Sequence, residues 1–295
     1  MFSGSICALV TPFTVDDALD LSALRRLIEW HVEAGTRALV LAGSTGESVA
    51  LDEAELLTLW TQSVQISGGR IPLIAGTGSS STHRSCRLTR MALDCGLQAA
   101  LVVTPAYVRP TQEGLYRHYT AVADQGLPVL LYNVPARTAC DLLPATVERL
   151  LPHPAVVGIK EALPDMERIG ALLALKSIRP DFVVLSGDDP TALAAMAAGS
   201  DGVISVAANV VPRRFAQMTS ALRSGDANLA RQLDASMQAL YAALACEPNP
   251  IPVKSALGML GLLDPGLRLP LTPLSASHEP IVRDALSAVR ELPTA

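Results

Sequence analysis

One lysine stands where it could act as a nucleophile. Lys160 closes the apolar run Val156-Val157-Gly158-Ile159, which is too short for a helix and reads as a strand ending at the lysine. Burying that side chain as an ammonium is costly, and the amine that burial favours is the form that attacks a carbonyl to give a Schiff base. The plainer alternative is a lysine that extends to solvent or pairs with the adjacent Glu161. Tyr132 ends the preceding apolar run, and a phenol within hydrogen-bond reach of an imine can carry protons. A half-buried tyrosine satisfied by backbone would explain it equally well.

Other polar groups fall at similar positions. Gly43-Ser44-Thr45-Gly46-Glu47-Ser48 sets two hydroxyls between glycines that let backbone amides approach a ligand; it could cradle a phosphate or merely form a turn. It is not G-x-S-x-G, so a hydrolase nucleophile elbow is unsupported. Gly76-Thr77-Gly78 reads as a tight turn. Asp188-Asp189 could pair on a metal, but Asp189 followed by Pro190 reads better as a cap opening a helix over 191–198. The five histidines (His31, His83, His118, His153, His278) are scattered away from these positions, and no metal or cofactor is expected.

The elements that must position these groups alternate. Apolar runs at 6–10, 38–41, 72–75, 99–103, 129–132, 156–160, 182–186 and 202–205 read as strands buried on both faces, as in a parallel sheet. Amphipathic stretches between them read as helices. Leu24, Leu27, Ile28 and His31 share one face, Asp52 and Glu55 form a capping box, and Pro144, Pro164 and Pro212 mark helix starts. Eight even strand–helix units predict an α/β fold closed as a (β/α)8 TIM barrel, with an open doubly wound sheet as the alternative. The barrel is expected over 1–224. Residues 225–295 read as a C-terminal helical extension packed on it, interrupted by the rigid turn Glu247-Pro248-Asn249-Pro250-Ile251-Pro252.

Composition agrees with a globular chain able to bury a core. Apolar residues make up 49% of the 295, aromatics only 4%, so the core must be aliphatic. A net charge of -5 without basic runs gives no support for nucleic-acid binding. Five cysteines without a C-x-x-C pair argue against a disulfide framework. The start Met1-Phe2-Ser3-Gly4-Ser5 lacks a basic, apolar leader, and no apolar run approaches a membrane span, so a cytoplasmic location is expected.

Several of these motifs together resemble the dihydrodipicolinate synthase family of pyruvate-dependent class I aldolases. They are Gly43 to Ser48, Tyr132-Asn133-Val134-Pro135-Ala136-Arg137-Thr138, Gly158-Ile159-Lys160-Glu161-Ala162, Leu185-Ser186-Gly187-Asp188-Asp189, Gly202-Val203-Ile204-Ser205-Val206 and Glu247 to Lys254. The similarity spans nearly the whole chain.

The resemblance implies a 4-hydroxy-tetrahydrodipicolinate synthase of lysine and diaminopimelate biosynthesis, without a cofactor. Lys160 would form a Schiff base with pyruvate, and the enamine would attack L-aspartate 4-semialdehyde. Tyr132 would move protons through Ser44 to Tyr107, a tyrosine supplied in the family by a neighbouring subunit. Thr45 would hold the pyruvate carboxylate, Ile204 and Gly187 would line the pocket, and Arg137 would bind the semialdehyde carboxylate. The family is built as a homodimer or a homotetramer, a dimer of dimers.

The chain also departs from the family pattern. Ser44 replaces the usual threonine, keeping the hydroxyl, and Ala106 and Val108 flank Tyr107 where tyrosine and asparagine are common. The positions through which relatives bind inhibitory lysine correspond to Val49, Leu56, Ser80, Arg84 and Ala106. An apolar Leu56 and a cationic Arg84 suit an ammonium-bearing ligand poorly, so inhibition by L-lysine is expected to be weak or absent. Rival readings are a sister lyase acting on N-acetylneuraminate or keto-deoxy-sugar acids, and a non-catalytic paralogue that binds an oxo acid. A metal-dependent class II aldolase lacks its histidine ligands.

Overall fold

A computed structural model describes residues 2–289 and 291. Met1, Arg290 and residues 292–295 lie outside the described residues.

Eight parallel strands close into a barrel in sequence order, with β1 pairing both β2 and β8. The strands are β1 Gly4–Ala8, β2 Ala38–Leu41, β3 Leu73–Gly76, β4 Ala99–Val103, β5 Val129–Asn133, β6 Val156–Glu161, β7 Val183–Ser186 and β8 Gly202–Ser205. Side chains alternate between two cores, as the two-residue period of a strand requires. Ile6, Val40, Ile74, Leu101, Leu130 and Leu185 fill the barrel interior. Their neighbours Cys7, Leu39, Ala75, Val102, Leu131 and Val184 face the surrounding helices. Both faces are therefore apolar, which explains the continuous runs in the sequence.

The surrounding layer comprises α1 Leu21–Ala34, α2 Glu53–Ser67, α3 Thr82–Asp94, α4 Gln112–Ala123, the single turn α5 Pro135–Thr138, α6 Pro144–Leu150, α7 Met166–Ala174, α8 Ala192–Ala197 and α9 Pro212–Arg223. The shared face of α1 is buried as expected, at Leu24, Leu27, Ile28 and His31. Asp52 and Glu55 form the capping box of α2, at 2.8 and 3.0 Å, a device that contributes about 1 kcal/mol. The remaining helices are α10 Ala227–Leu244, α11 Ile251–Met259 and α12 Glu279–Val289, with α10 packed on α9. Among the described residues no helix is long and apolar enough to cross a membrane.

Four local expectations need correction. The first strand lies at Gly4–Ala8, two residues earlier than its apolar run, because β1 pairs with β8 from Gly4 onward. Pro164 precedes α7 without opening it; Asp165 is the cap, accepting from the Glu167 and Arg168 amides. The helix placed at 191–198 spans Ala192–Ala197, and Asp189 does not cap it. Asp188 accepts from Thr191 there, while Asp189 accepts from the Val206 and Ala207 amides at 3.1 and 2.8 Å. Gly76 and Gly78 mark close backbone approach, not a tight turn. A Cβ at Gly76 would meet Ala42 O at 2.0 Å, and one at Gly78 would meet Val103 N at 2.5 Å.

Candidate active site

The C-terminal ends of the strands surround an inner cavity of about 190 Å3. Lys160 and Tyr132 reach it from β6 and β5, where they are register partners. Each follows an outward-facing residue, Ile159 and Leu131, so alternation turns both side chains inward. Lys160 is 5% exposed, and its Nζ lies 4.3 Å from the Tyr132 ring centroid. Among the described residues no carboxylate stands within salt-bridge distance of that nitrogen.

Glu161, offered as the partner of Lys160 in the plainer reading, points to the other face. It accepts from Asn133 Nδ2 at 2.9 and 3.2 Å and from the Leu163 amide at 2.9 Å, with Arg168 at 3.7 Å. Burial pushes its carboxyl up, opposed by those donors. Asn133 also donates to Asp141 and accepts from the Leu142 amide. Arg168 forks onto Asp141 at 2.7 and 3.0 Å. This polar cluster clamps the ends of β5 and β6 from behind, one residue beyond Tyr132 and Lys160.

Ser44 and Thr45 enter the cavity from the loop after β2, and Gly187 closes it from β7. Gly187 lies so near the lysine that a Cβ there would sit 2.8 Å from Lys160 Cε. Ile204 is buried in the inner core with Tyr132 and Leu185 but is not among the residues that line this cavity, whereas Val206 lines it beyond β8.

A second cavity of about 310 Å3 adjoins the first, sharing Ser44, Val134, Arg137 and Asn249 with it. Arg137, on α5, is exposed at this junction and donates to Asn249 O at 3.1 Å. Tyr107 lines neither cavity. It is 93% exposed on the loop after β4, beside exposed Val108 and close in sequence to Ala106 at the cavity wall. Of the positions expected to correspond to those through which relatives bind lysine, Leu56 is buried, Val49 is exposed, and Ser80 donates to Ala106 O at 2.8 Å.

Asn249 joins the site although the sequence marks it only as part of a turn. The proline-rich break lies between α10 and α11 as expected, but it is more than a turn. Its asparagine donates to Thr45 Oγ1 at 3.0 Å and lines both cavities. An amide residue flanked by two rigid prolines was the available signal. Nor does the sequence mark Glu47 and Lys254 as partners. They form a buried ion pair of 2.7 Å between the loop after β2 and α11.

Comparison with known proteins fits this arrangement. The profile of the Dihydrodipicolinate synthetase family matches residues 1–289. The 4-hydroxy-tetrahydrodipicolinate synthase of Acidithiobacillus ferrooxidans is 49% identical over 287 residues, covering 97% of this chain and 98% of its own. That of Xanthomonas axonopodis is 51% identical, covering 97% and 94%. Among solved structures, the chloride-inhibited dihydrodipicolinate synthase of Acinetobacter baumannii complexed with pyruvate superposes with a TM-score of 0.95 at 44% identity, covering 98% of this chain and 99% of its own. A barrel closed around a buried lysine and a whole-length likeness at about half identity lead to one assignment: the chain belongs to the dihydrodipicolinate synthetase family.

Proposed function

We propose that this protein is a 4-hydroxy-tetrahydrodipicolinate synthase that joins pyruvate to L-aspartate 4-semialdehyde through an imine on Lys160. The observation that carries the reading is a lysine buried at the barrel mouth over a tyrosine ring, with no carboxylate partner among the described residues. A lysine held for stability or solubility would be paired or exposed.

The Lys160 amine adds to C2 of pyruvate, and loss of water leaves an iminium. A methyl proton departs to give the enamine, whose terminal carbon forms a bond to the aldehyde carbon as the aldehyde oxygen takes a proton. The amino group of the new chain then attacks the imine carbon, closes the ring and expels the Lys160 amine. Tyr132 carries the protons at the site of imine formation, with Ser44 in the relay. The Thr45 hydroxyl accepts from Asn249, so its own proton remains available to a pyruvate carboxylate oxygen. Arg137 meets the carboxylate of the incoming aldehyde at the cavity junction, a role suited to its forked donors.

Tyr107 would complete the relay from a second copy of the chain. The exposure of Val49, Tyr107 and Val108 on neighbouring loops supports a self-contact there, in a homodimer or a tetramer of two such dimers. The catalytic barrel is read as residues 1–224, with 225–295 as a helical extension that delivers Asn249.

The test is an assay of condensation. Pyruvate and aspartate 4-semialdehyde should be consumed together, one for one. Cleavage of N-acetylneuraminate or of keto-deoxy-sugar acids at a comparable kcat/KM would reassign the chain to a sister lyase.

A further inference from the structure

We propose that Glu47 and Lys254 are positioning residues, whose buried ion pair fixes the loop that presents the Thr45 hydroxyl to the inner cavity. The C-terminal helices thereby set the affinity for the small oxo acid. The inference rests on the reading of Thr45 as the carboxylate-binding hydroxyl.

The loop after β2 holds a conformation that it would not adopt alone. Ala42 and Glu47, at its two ends, both lie in the left-handed region, with φ of 50° and 53°. Non-glycine residues persist there only when their surroundings enforce it. Besides the loop's own backbone bonds, from Gly46 N to Gly43 O and from Glu47 N to Ser44 O, the contacts that hold it fall on three consecutive residues and come from outside the loop. Thr45 Oγ1 accepts from Asn249 Nδ2 at 3.0 Å. Gly46 O accepts from Thr11 Oγ1 at 2.7 Å. The Glu47 carboxylate accepts from Lys254 Nζ at 2.7 Å on one oxygen and from the Arg268 amide at 3.1 Å on the other.

The ion pair itself is fully enclosed. The Lys254 side chain is 0% exposed and that of Glu47 1%, and Lys254 Nζ also lies 4.3 Å from the Phe13 ring centroid. Burial draws the Lys254 ammonium below its ordinary range, and Glu47 opposes that shift. A pair of this kind adds little net stability over an apolar pair of the same size, but it demands one geometry. Lys254 and Asn249 belong to one segment, with the Lys254 amide bonded to Pro250 O at 3.0 Å. A shift of that segment would therefore move the Glu47 and Thr45 contacts together.

Two variants test this. Glu47→Asp keeps both charges and tolerates the left-handed backbone, but withdraws the carboxylate by one methylene. The double variant Glu47→Gln with Lys254→Met removes both charges and leaves no unpaired buried ion. Each is checked by thermal melting and then incubated with graded pyruvate and borohydride, with the adduct on Lys160 measured by mass spectrometry. The pyruvate concentration for half-maximal trapping should rise roughly tenfold, while the trapping rate at saturation changes less than about threefold. Half-saturation within twofold of wild type in the folded variants, whether or not the melting temperature falls, would assign the pair to stability alone and overturn the proposal. Glu47→Asp decides the matter should the double variant not fold. No adduct in wild type would remove the functional reading itself and this inference with it, an outcome distinct from an unchanged half-saturation.

Discussion

Lys160 and Tyr132 face each other across β5 and β6, register partners in the ladder with the lysine nitrogen 4.3 Å from the phenol ring centroid. Parallel pairing fixes that relationship, because both residues sit at inward positions of adjacent strands. Tyr132→Phe keeps the ring and removes only the hydroxyl. Turnover should fall by about 10²–10⁴-fold, while pyruvate is still trapped on Lys160 by borohydride. Turnover unchanged by the substitution would exclude the phenol from proton transfer.

Arg137→Ala should separate the two half-reactions. The guanidinium is exposed where the two cavities join, while Lys160 lies deeper. Pyruvate trapping should stay near the wild-type level, and kcat/KM for the semialdehyde should drop by about 10²-fold, the size of a lost charge-assisted contact. Steady-state kinetics with the aldehyde varied would reveal this, and an unaltered kcat/KM would remove Arg137 from aldehyde binding.

Gly187→Ala should damage imine formation itself. The added Cβ would sit 2.8 Å from Lys160 Cε and 2.9 Å from Ala162 Cβ, so the lysine must move. A displacement on the order of 1 Å at a reacting group costs about 10²-fold in rate. Single-turnover trapping should slow accordingly in the folded variant. A normal trapping rate would mean that the site yields elsewhere.

Acid should weaken the fold through its buried histidines. Burial alone draws His31 down to about 3 and His118 down to about 4 from an ordinary 6.5. His31 Nδ1 is bonded to Thr36 Oγ1 at 2.8 Å, and among the described residues its Nε2 has no hydrogen-bond partner. The unfolded chain protonates these rings below about 6.5 and the folded chain does not, so their contribution is complete above that pH and is lost on descending toward 3. The slope approaches about 1.4 kcal/mol per pH unit for each ring. Glu161 and Asp189, pushed up by burial, act in the opposite sense. Denaturant melts of wild type and His31→Gln across pH 7 to 4 isolate the His31 share. Parallel stability curves would contradict it.

Much of the barrel was legible because its signal is short-range. Strands such as Ala38–Leu41, Ala99–Val103 and Gly202–Ser205 coincide with their apolar runs, since a strand covered on both faces has no polar position to blur its limits. Lys160 stood out because it ends such a run. What stayed hidden depends on distant contacts. The Asp189 carboxylate anchors the turn after β8, and Asn249 reaches a threonine 204 positions earlier. No local pattern separates such an aspartate from a helix cap, or such an asparagine from a turn residue. Gly76 and Gly78 carry the same lesson, because close approach and turn formation both select glycine.

Imine chemistry at Lys160 stands or falls on whether pyruvate becomes covalently attached to that residue. The intact protein is incubated with pyruvate and borohydride, digested, and the modified peptide is located by mass spectrometry. A reduced pyruvyl adduct is expected on Lys160, abolished by Lys160→Ala. A folded wild-type protein without an adduct, or with one at another lysine, would contradict imine chemistry at Lys160.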